Sequence, residues 1–287
     1  MDLLITHANA ETKLSQIGIY NIKIEDSTPS IEVDRRTVKG RGGYIHDGLT
    51  LRQKTIKVSG RLAVASLLAF MEKQDELAGW LYGDEPYFIT KMHPVQDDLY
   101  EFELPGAKTG DLNLLDIPHT PWKYRYKVHL NREIEFAFIG KSEAGLKYDV
   151  SFEFVTAEIP YGETVPREIT LSGPYITYHG TASLSQFEVP FVVELTSDAQ
   201  QTNFFVEIDG RRWNYSHTAT PIQPREKILL SGVETSIYRP GGIQNLNINN
   251  RTNYEYFIIR PNPQKQVSFS TDFRGTVKIL GFKELYK

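Results

Sequence analysis

The chain has 287 residues, with 32 Lys and Arg against 36 Asp and Glu for a formal net charge of −4, so it lacks the overall basic excess of a dedicated nucleic-acid binder. It contains no cysteine, which excludes disulfides, thiolate nucleophiles and cysteine-based zinc or iron–sulfur sites together. At about 100–200 residues per domain the length favours two domains, and the 16 Tyr, 15 Phe and 3 Trp suit half-buried strand surfaces.

The first 13 residues have no basic n-region and their apolar run stops at Thr6, so no signal peptide is expected. No stretch approaches the ~18 consecutive apolar residues of a membrane span. Short strands are predicted at residues 17–24 and 31–33, separated by a turn-rich segment at 26–30, and a glycine-rich corner follows at 38–43. Leu49 and Leu51 alternate with polar neighbours, as do Ile56 and Val58, but in the opposite phase. That predicts a bulge between Leu51 and Ile56, or one strand whose two ends are covered from opposite sides. Gly60 reads as the exit from this strand toward a helix.

From Leu67 the apolar residues fall at Leu67, Phe70, Met71, Leu77, Ala78 and Leu81. This spacing places them on one face of an amphipathic helix. A short strand is expected within 80–90, then a long polar connection over 94–121 with a hairpin turn at Pro105 and Gly106. Trp122, Tyr124, Tyr126, Val128 and Leu130 alternate with Lys123, Arg125, Lys127 and His129, and Ile134, Phe136 and Phe138 follow. With Tyr148, Val150, Phe152 and Phe154 these predict three successive strands of an antiparallel sheet with one buried face. Two prolines and a glycine within 159–166 mark a domain boundary.

Beyond it, Phe187, Val189, Phe191, Val193 and Leu195 alternate. Further strands are read at 204–208, 227–230, 254–259, 267–269 and 277–279, with turns at 209–210, 231–232, 240–242 and 274–275. Many short strands with regular turns and no helix indicate a sandwich or jelly roll.

The sequence carries little that resembles catalytic chemistry. Gly140, Lys141 and Ser142 resemble the end of a P-loop, but the motif needs glycine at position 135, which is Glu135. The histidines are scattered without a His-x-x-x-His pair, so a metal site would need distant ligands, and there is no Gly-x-Ser-x-Gly elbow. No catalytic residue, metal or cofactor is therefore expected. Trp213, Tyr215 and His217, with Arg211, Arg212 and Asn214 among them, are candidate carbohydrate contacts, because aromatic faces stack on sugar rings. The same alternation also fits ordinary sheet.

Charge is ordered along the first half. Residues 35–61 carry eight basic side chains against one acid, Asp47, and residues 72–103 carry nine acids against Lys73 and Lys91. Two solvated faces would explain this, and so would complementary surfaces on one subunit, which suit head-to-tail association. Arg52, Lys54, Asp75 and Glu76 are the candidate subunit-interface residues.

The residues then add up to a family resemblance. The Val38–Gly43 corner, the basic strand from Lys54 to Val58, the single helix ending in Trp80 and Leu81, the strand Ser151-Phe-Glu-Phe154 followed by Ile159-Pro-Tyr161, and the β-only second half together resemble the distal tail proteins, the tail-tip or baseplate hubs, of long non-contractile-tailed phages and prophages. The resemblance implies a mainly β chain. Residues 1–160 would form a β-sandwich-like, ring-forming hub domain with one α-helix, and 165–287 a galectin-like β-sandwich or jelly roll.

It further implies a virion structural protein at the tail tip, made in the bacterial cytoplasm, with no enzymatic role and no cofactor. Its hexameric ring would join the tail tube to the baseplate or host-adsorption apparatus. Its partners would be further copies of itself, the major tail tube protein, the tape measure protein, the tail-associated lysin or tail-fibre hub, and receptor-binding proteins. The galectin sugar signatures His-x-Asn-x-Arg and Trp-Gly-x-Glu are missing. The alternatives are a carbohydrate-binding β-sandwich protein, argued from Trp213, Tyr215 and His217, and a nucleic-acid-binding protein, argued from the basic block.

Overall fold

In a computed structural model, which describes residues 1–95, 118–142, 145–239 and 246–287, the period-two stretches form strands and one stretch forms a long helix. The turns expected at 105–106 and 240–242 lie outside the described residues, as do Asp97, Asp98, Glu101 and Glu103. The chain divides into two compact units, Met1–Gly162 (together with Lys287) and Glu163–Tyr286.

The first unit contains β1 (Asp2–Thr6), β2 (Glu11–Lys13), α1 (Leu14–Ile17), β3 (Ile19–Asp26), β4 (Ile31–Arg36), β5 (Ile45–Leu51) and β6 (Thr55–Val64). It continues with α2 (Leu67–Leu81), β7 (Tyr87–Pro94), β8 (His119–Pro121), β9 (Tyr126–Leu130), β10 (Glu135–Ser142) and β11 (Gly145–Thr156). Among the described residues, nine strands form one antiparallel sheet in the order β2-β1-β7-β9-β11-β6-β3, with β8 beside β7 and β10 beside β11. Its spine is β6 against β11, where Val58 faces Phe152 and Ile56 faces Phe154. All four side chains are buried, as same-face neighbours on a half-buried sheet should be.

Three expectations change here. Ile17 belongs to the short α1, which Gly18 closes at φ 101°, and β3 begins only at Ile19. Gly60 does not end its strand: β6 continues to Val64. A Cβ at Gly60 would stand 2.6 Å from Ile19 Cγ2 and 3.1 Å from the Tyr20 carbonyl oxygen, so glycine here lets β3 pack close beside a bulge between Tyr20 and Lys23. The phase change between Leu51 and Ile56 is neither a bulge nor a doubly covered strand. β5 ends at Leu51 and pairs only with β4, in a two-stranded ribbon separate from the main sheet.

The helix α2 starts where the pattern places it. Ser66 caps it, its Oγ accepting from the Ala69 amide at 3.2 Å, a contact that stabilises by about 1 kcal/mol. Phe70, Leu77 and Leu81 are buried, and Phe70 stacks on Tyr148 with ring centroids 3.9 Å apart. Leu67 and Met71, expected on the same face, are instead 61% and 56% exposed, as is Leu68 at 67%. The strands β9, β10 and β11 are antiparallel as expected, with β9 and β10 sharing β11 as a common partner, but β9 begins only at Tyr126, leaving Trp122 and Tyr124 outside it, and Trp122 and Phe138 of the expected buried face are exposed.

The second unit begins within β12 (Gly162–Glu163). It contains β13 (Arg167–Leu171), β14 (Tyr175–Thr177), β15 (Leu184–Ser185), β16 (Val192–Ser197), β17 (Asn203–Ile208), β18 (Arg211–Ser216) and β19 (Lys227–Leu230). It ends with β20 (Thr235–Tyr238), β21 (Leu246–Asn247), β22 (Ile258–Ile259), β23 (Gln266–Thr271), β24 (Gly275–Phe282) and β25 (Leu285–Tyr286). Among the described residues these build a six-stranded sheet, β13-β24-β16-β19-β20-β21, and a four-stranded sheet, β14-β23-β17-β18. Alternate residues of both sheets are buried, Val193, Leu195, Val277 and Ile279 in one and Phe204, Val206, Trp213 and Val267 in the other, as in a mainly β sandwich. Strand geometry is narrower than the alternation suggests. β16 starts at Val192, leaving Phe187 outside it and 53% exposed, and within 254–259 only Ile258 and Ile259 are strand.

The second unit hides a titratable core group. The Tyr178 hydroxyl donates to the Ala182 carbonyl at 2.6 Å and accepts from the Leu285 amide at 3.2 Å. Burial pushes its pKa up to about 12 from 10.0. An unfolded tyrosine ionises near 10, so this contribution is intact below pH 10 and is lost as pH rises from 10 to 12. Tyr178 should therefore contribute about 3 kcal/mol of the decline in urea-unfolding stability across that window, and Tyr178→Phe should make the decline smaller by that amount, the other buried tyrosines keeping theirs. A wild-type curve flat to pH 12 would refute the assignment.

Candidate functional site

The aromatic cluster of β18 is the first candidate. Strand alternation puts Trp213 and Tyr215 on one face, and that face points into the core: the two residues are 0% and 1% exposed. Their rings pack on Phe204 at centroid distances of 5.9 and 5.0 Å. The Tyr215 hydroxyl donates to the Thr220 carbonyl at 3.2 Å, and burial raises its pKa. His217 is half-buried and its Nδ1 accepts from the Thr220 amide at 3.1 Å, closing a turn. Of the candidate sugar contacts, Trp213 and Tyr215 are core residues in this fold, while His217 stays partly exposed. Neither large ring has a free face, because the burial that holds the sheet together consumes both.

The basic block is the second candidate, and most of it is already neutralised. Arg36 pairs with Asp47 at 3.5 Å, Arg52 with Glu32 at 2.5 Å, Lys57 with Glu153 at 4.0 Å and Arg61 with Asp149 at 3.3 Å. Three of these four acids come from sequence outside the block. What remains is local. Among the described residues, Arg35, Lys39 and Arg41 form no ion pair, and they cluster around the ribbon tip, where Arg35 lies 4.7 Å over the Tyr44 ring.

Lys54 does not belong to a surface at all. It is 5% exposed, its Nζ donates to the Tyr126 hydroxyl at 2.9 Å, and it lies 3.7 Å from Asp26 Oδ2. Lys91 Nζ reaches the same carboxylate oxygen at 2.6 Å, and the Tyr126 hydroxyl donates to it at 3.3 Å. Burial, with the Asp26 charge second, drives the Tyr126 pKa far above the usual phenol range. The hydroxyl therefore stays a neutral donor. This cluster ties the end of β3 to the residue just before β6 and to β7 and β9, and its burial leaves Lys54 no surface to offer a subunit contact.

The other three interface candidates sit outside the core. Arg52 is engaged by Glu32, Glu76 by Lys73 at 2.6 Å, and Asp75 is exposed with no ion pair among the described residues. Exposed pairs such as these contribute only ~0–1 kcal/mol each. Sequence reasoning missed the ribbon. Its signal was the very phase change that looked like a bulge.

Chemistry of other kinds has little support. Among the described residues no group of three or more His, Asp or Glu side chains is placed to hold a metal ion. Nor is any helix among them long and apolar enough to cross a membrane.

No protein-family model and no curated protein matches the sequence. The fold is similar to that of the Dit protein of phage SPP1, whose crystal structure is described as a paradigm of the hub adsorption apparatus in phages infecting Gram-positive bacteria. The match has a TM-score of 0.64 at 10% identity and covers 99% of each chain. Two structures of the phage p2 baseplate in its activated conformation, one with strontium and one with calcium, align over 99% of this chain and 97% of theirs at 9% identity. Their TM-scores of 0.37 and 0.36 carry no argument about the fold.

Proposed function

We propose that this chain, having the fold of a phage distal tail protein, is a structural subunit of a phage tail tip. In this reading the first unit closes into a sixfold ring that continues the tail tube, and the second carries adsorption parts. The observation that carries the reading is the match to the SPP1 hub protein along 99% of both chains, which leaves neither unit unaccounted for. Its partners would be other copies of itself, the major tail tube protein, the tape measure protein and a tail-associated lysin or fibre hub, with receptor-binding proteins further out. Catalysis has no part in such a role, and the protein would reside in the virion.

Uncovered apolar surface on the first unit supports the ring. Leu67, Leu68 and Met71 on α2 and Phe138 and Ile139 on β10 are each 49–67% exposed, and clustered exposure of this kind marks protein contacts. Negative-stain microscopy of the purified chain, with light scattering across a dilution series, tests the proposal. The expected result is rings with a central hole and a mass of about six subunits. A strictly monomeric protein at high concentration, with no particle larger than one chain, would overturn it.

A further inference from the structure

The β4–β5 ribbon stands apart from the sheet of the first unit and has two unequal faces. Ile31 faces Leu51 and Val33 faces Leu49 across the pair, so these four apolar side chains lie on one face. Glu32 opposite Thr50 and Asp34 opposite Gly48 make the other face polar. Ile31 and Leu49 are 61% and 53% exposed. A lone two-stranded ribbon is at best marginally stable in water. Its root is tied down by backbone hydrogen bonds from Ser27 N–H to the Thr55 carbonyl, Ser30 N–H to that of Gln53 and Arg52 N–H to that of Ser30, at 2.8–2.9 Å. Such a face asks for a cover that the described residues of one copy do not supply.

The exposed side of α2 has the complementary character. Leu68, Met71, Glu72 and Asp75 fall at i, i+3, i+4 and i+7, one side of the helix, and all four are exposed. Neither Glu72 nor Asp75 forms an ion pair among the described residues, which matches the unpaired Arg35, Lys39 and Arg41 at the ribbon tip. The two surfaces leave opposite ends of β6. The ribbon joins at Thr55 and α2 begins just beyond Val64, ten residues or roughly 30 Å along the strand. Two different patches at separate ends of one copy are what a head-to-tail contact requires.

We propose that the apolar face of the β4–β5 ribbon of one copy packs on the exposed face of α2 of the next copy, with the basic ribbon tip set against Glu72 and Asp75. This rests on the ring reading above and assigns its subunit contact. The apolar side chains hold the contact. The charges choose its register and speed its formation.

The absence of cysteine in the chain allows a direct test. Leu49→Cys and Leu68→Cys single variants, both at exposed positions, are mixed and oxidised, and the cross-linked species are mapped by mass spectrometry. The expected product is a heterodimer joined through positions 49 and 68, and the double variant should give a ladder of linked subunits. Separately, Leu68→Glu should weaken self-association about tenfold or more with its melting curve unchanged, and Asp75→Lys should slow assembly, with Arg35→Glu in the same chain restoring part of the rate. If the wild type assembles in light scattering yet the 49–68 cross-link never forms, the ring reading stands and this contact is wrong, including the case in which another tail protein covers the ribbon. If the wild type does not self-associate at all, both fall.

Discussion

Asp26→Asn should destabilise the first unit by about 3 kcal/mol in urea unfolding, far more than removal of an acid whose partner in the basic block is exposed. The Lys54 side chain is 6% exposed, and Asp26 supplies its only carboxylate among the described residues. Removing one partner of a buried pair leaves an uncompensated charge, at a cost of roughly 3–5 kcal/mol, and the low end applies because asparagine keeps an oxygen for the Tyr126 hydroxyl. Lys91 is 28% exposed and can turn to water. Asp149→Asn serves as the contrast. It frees Arg61 in a pair whose members are 52% and 58% exposed and should cost less than about 1 kcal/mol. Adding Lys54→Met to Asp26→Asn should recover most of the loss, since a buried pair replaced by apolar volume is often neutral. Equal small effects of Asp26→Asn and Asp149→Asn would show that Lys54 reaches solvent and that the cluster contributes little.

Trp213→Ala is expected to cost the second unit about 3–5 kcal/mol, because the ring is fully buried and its removal leaves a cavity between Phe204 and Tyr215. In a scanning calorimeter the transition of that unit should fall by more than about 10 °C. Trp213→Phe should be milder. It fills most of the space and removes a buried indole N–H that has no hydrogen-bond partner among the described residues, a donor whose desolvation costs ~1–3 kcal/mol. A sugar-binding role for Trp213 makes the opposite demand, an unchanged melting curve with lost ligand affinity. A Trp213→Ala variant as stable as wild type would mean that the β18 rings are not part of the core.

Local period was enough to reveal much of this protein. The start of α2 at Leu67 follows from the apolar spacing, and the strands around Val58, Val128, Phe152, Val193 and Val206 follow from alternation, because both signals are complete within a few residues. A mainly β chain with one long helix was therefore legible before any coordinates. Alternation says that Trp213 and Tyr215 share a face. It cannot say whether that face meets core or water, and the second β layer decided that. Charge counts suffered likewise: Lys54 meets Asp26, 28 positions away, and Arg61 meets Asp149, 88 positions away, so a block that is strongly basic along the chain is largely neutral in space. The phase change at Leu51 carried information about tertiary structure that the sequence could not decode, since a slip within one strand and a break between two sheets shift the side chains identically. Only the hydrogen bonds of Ser30 with Gln53 and Arg52, formed across more than twenty residues, separated the ribbon from the sheet and left its apolar face uncovered.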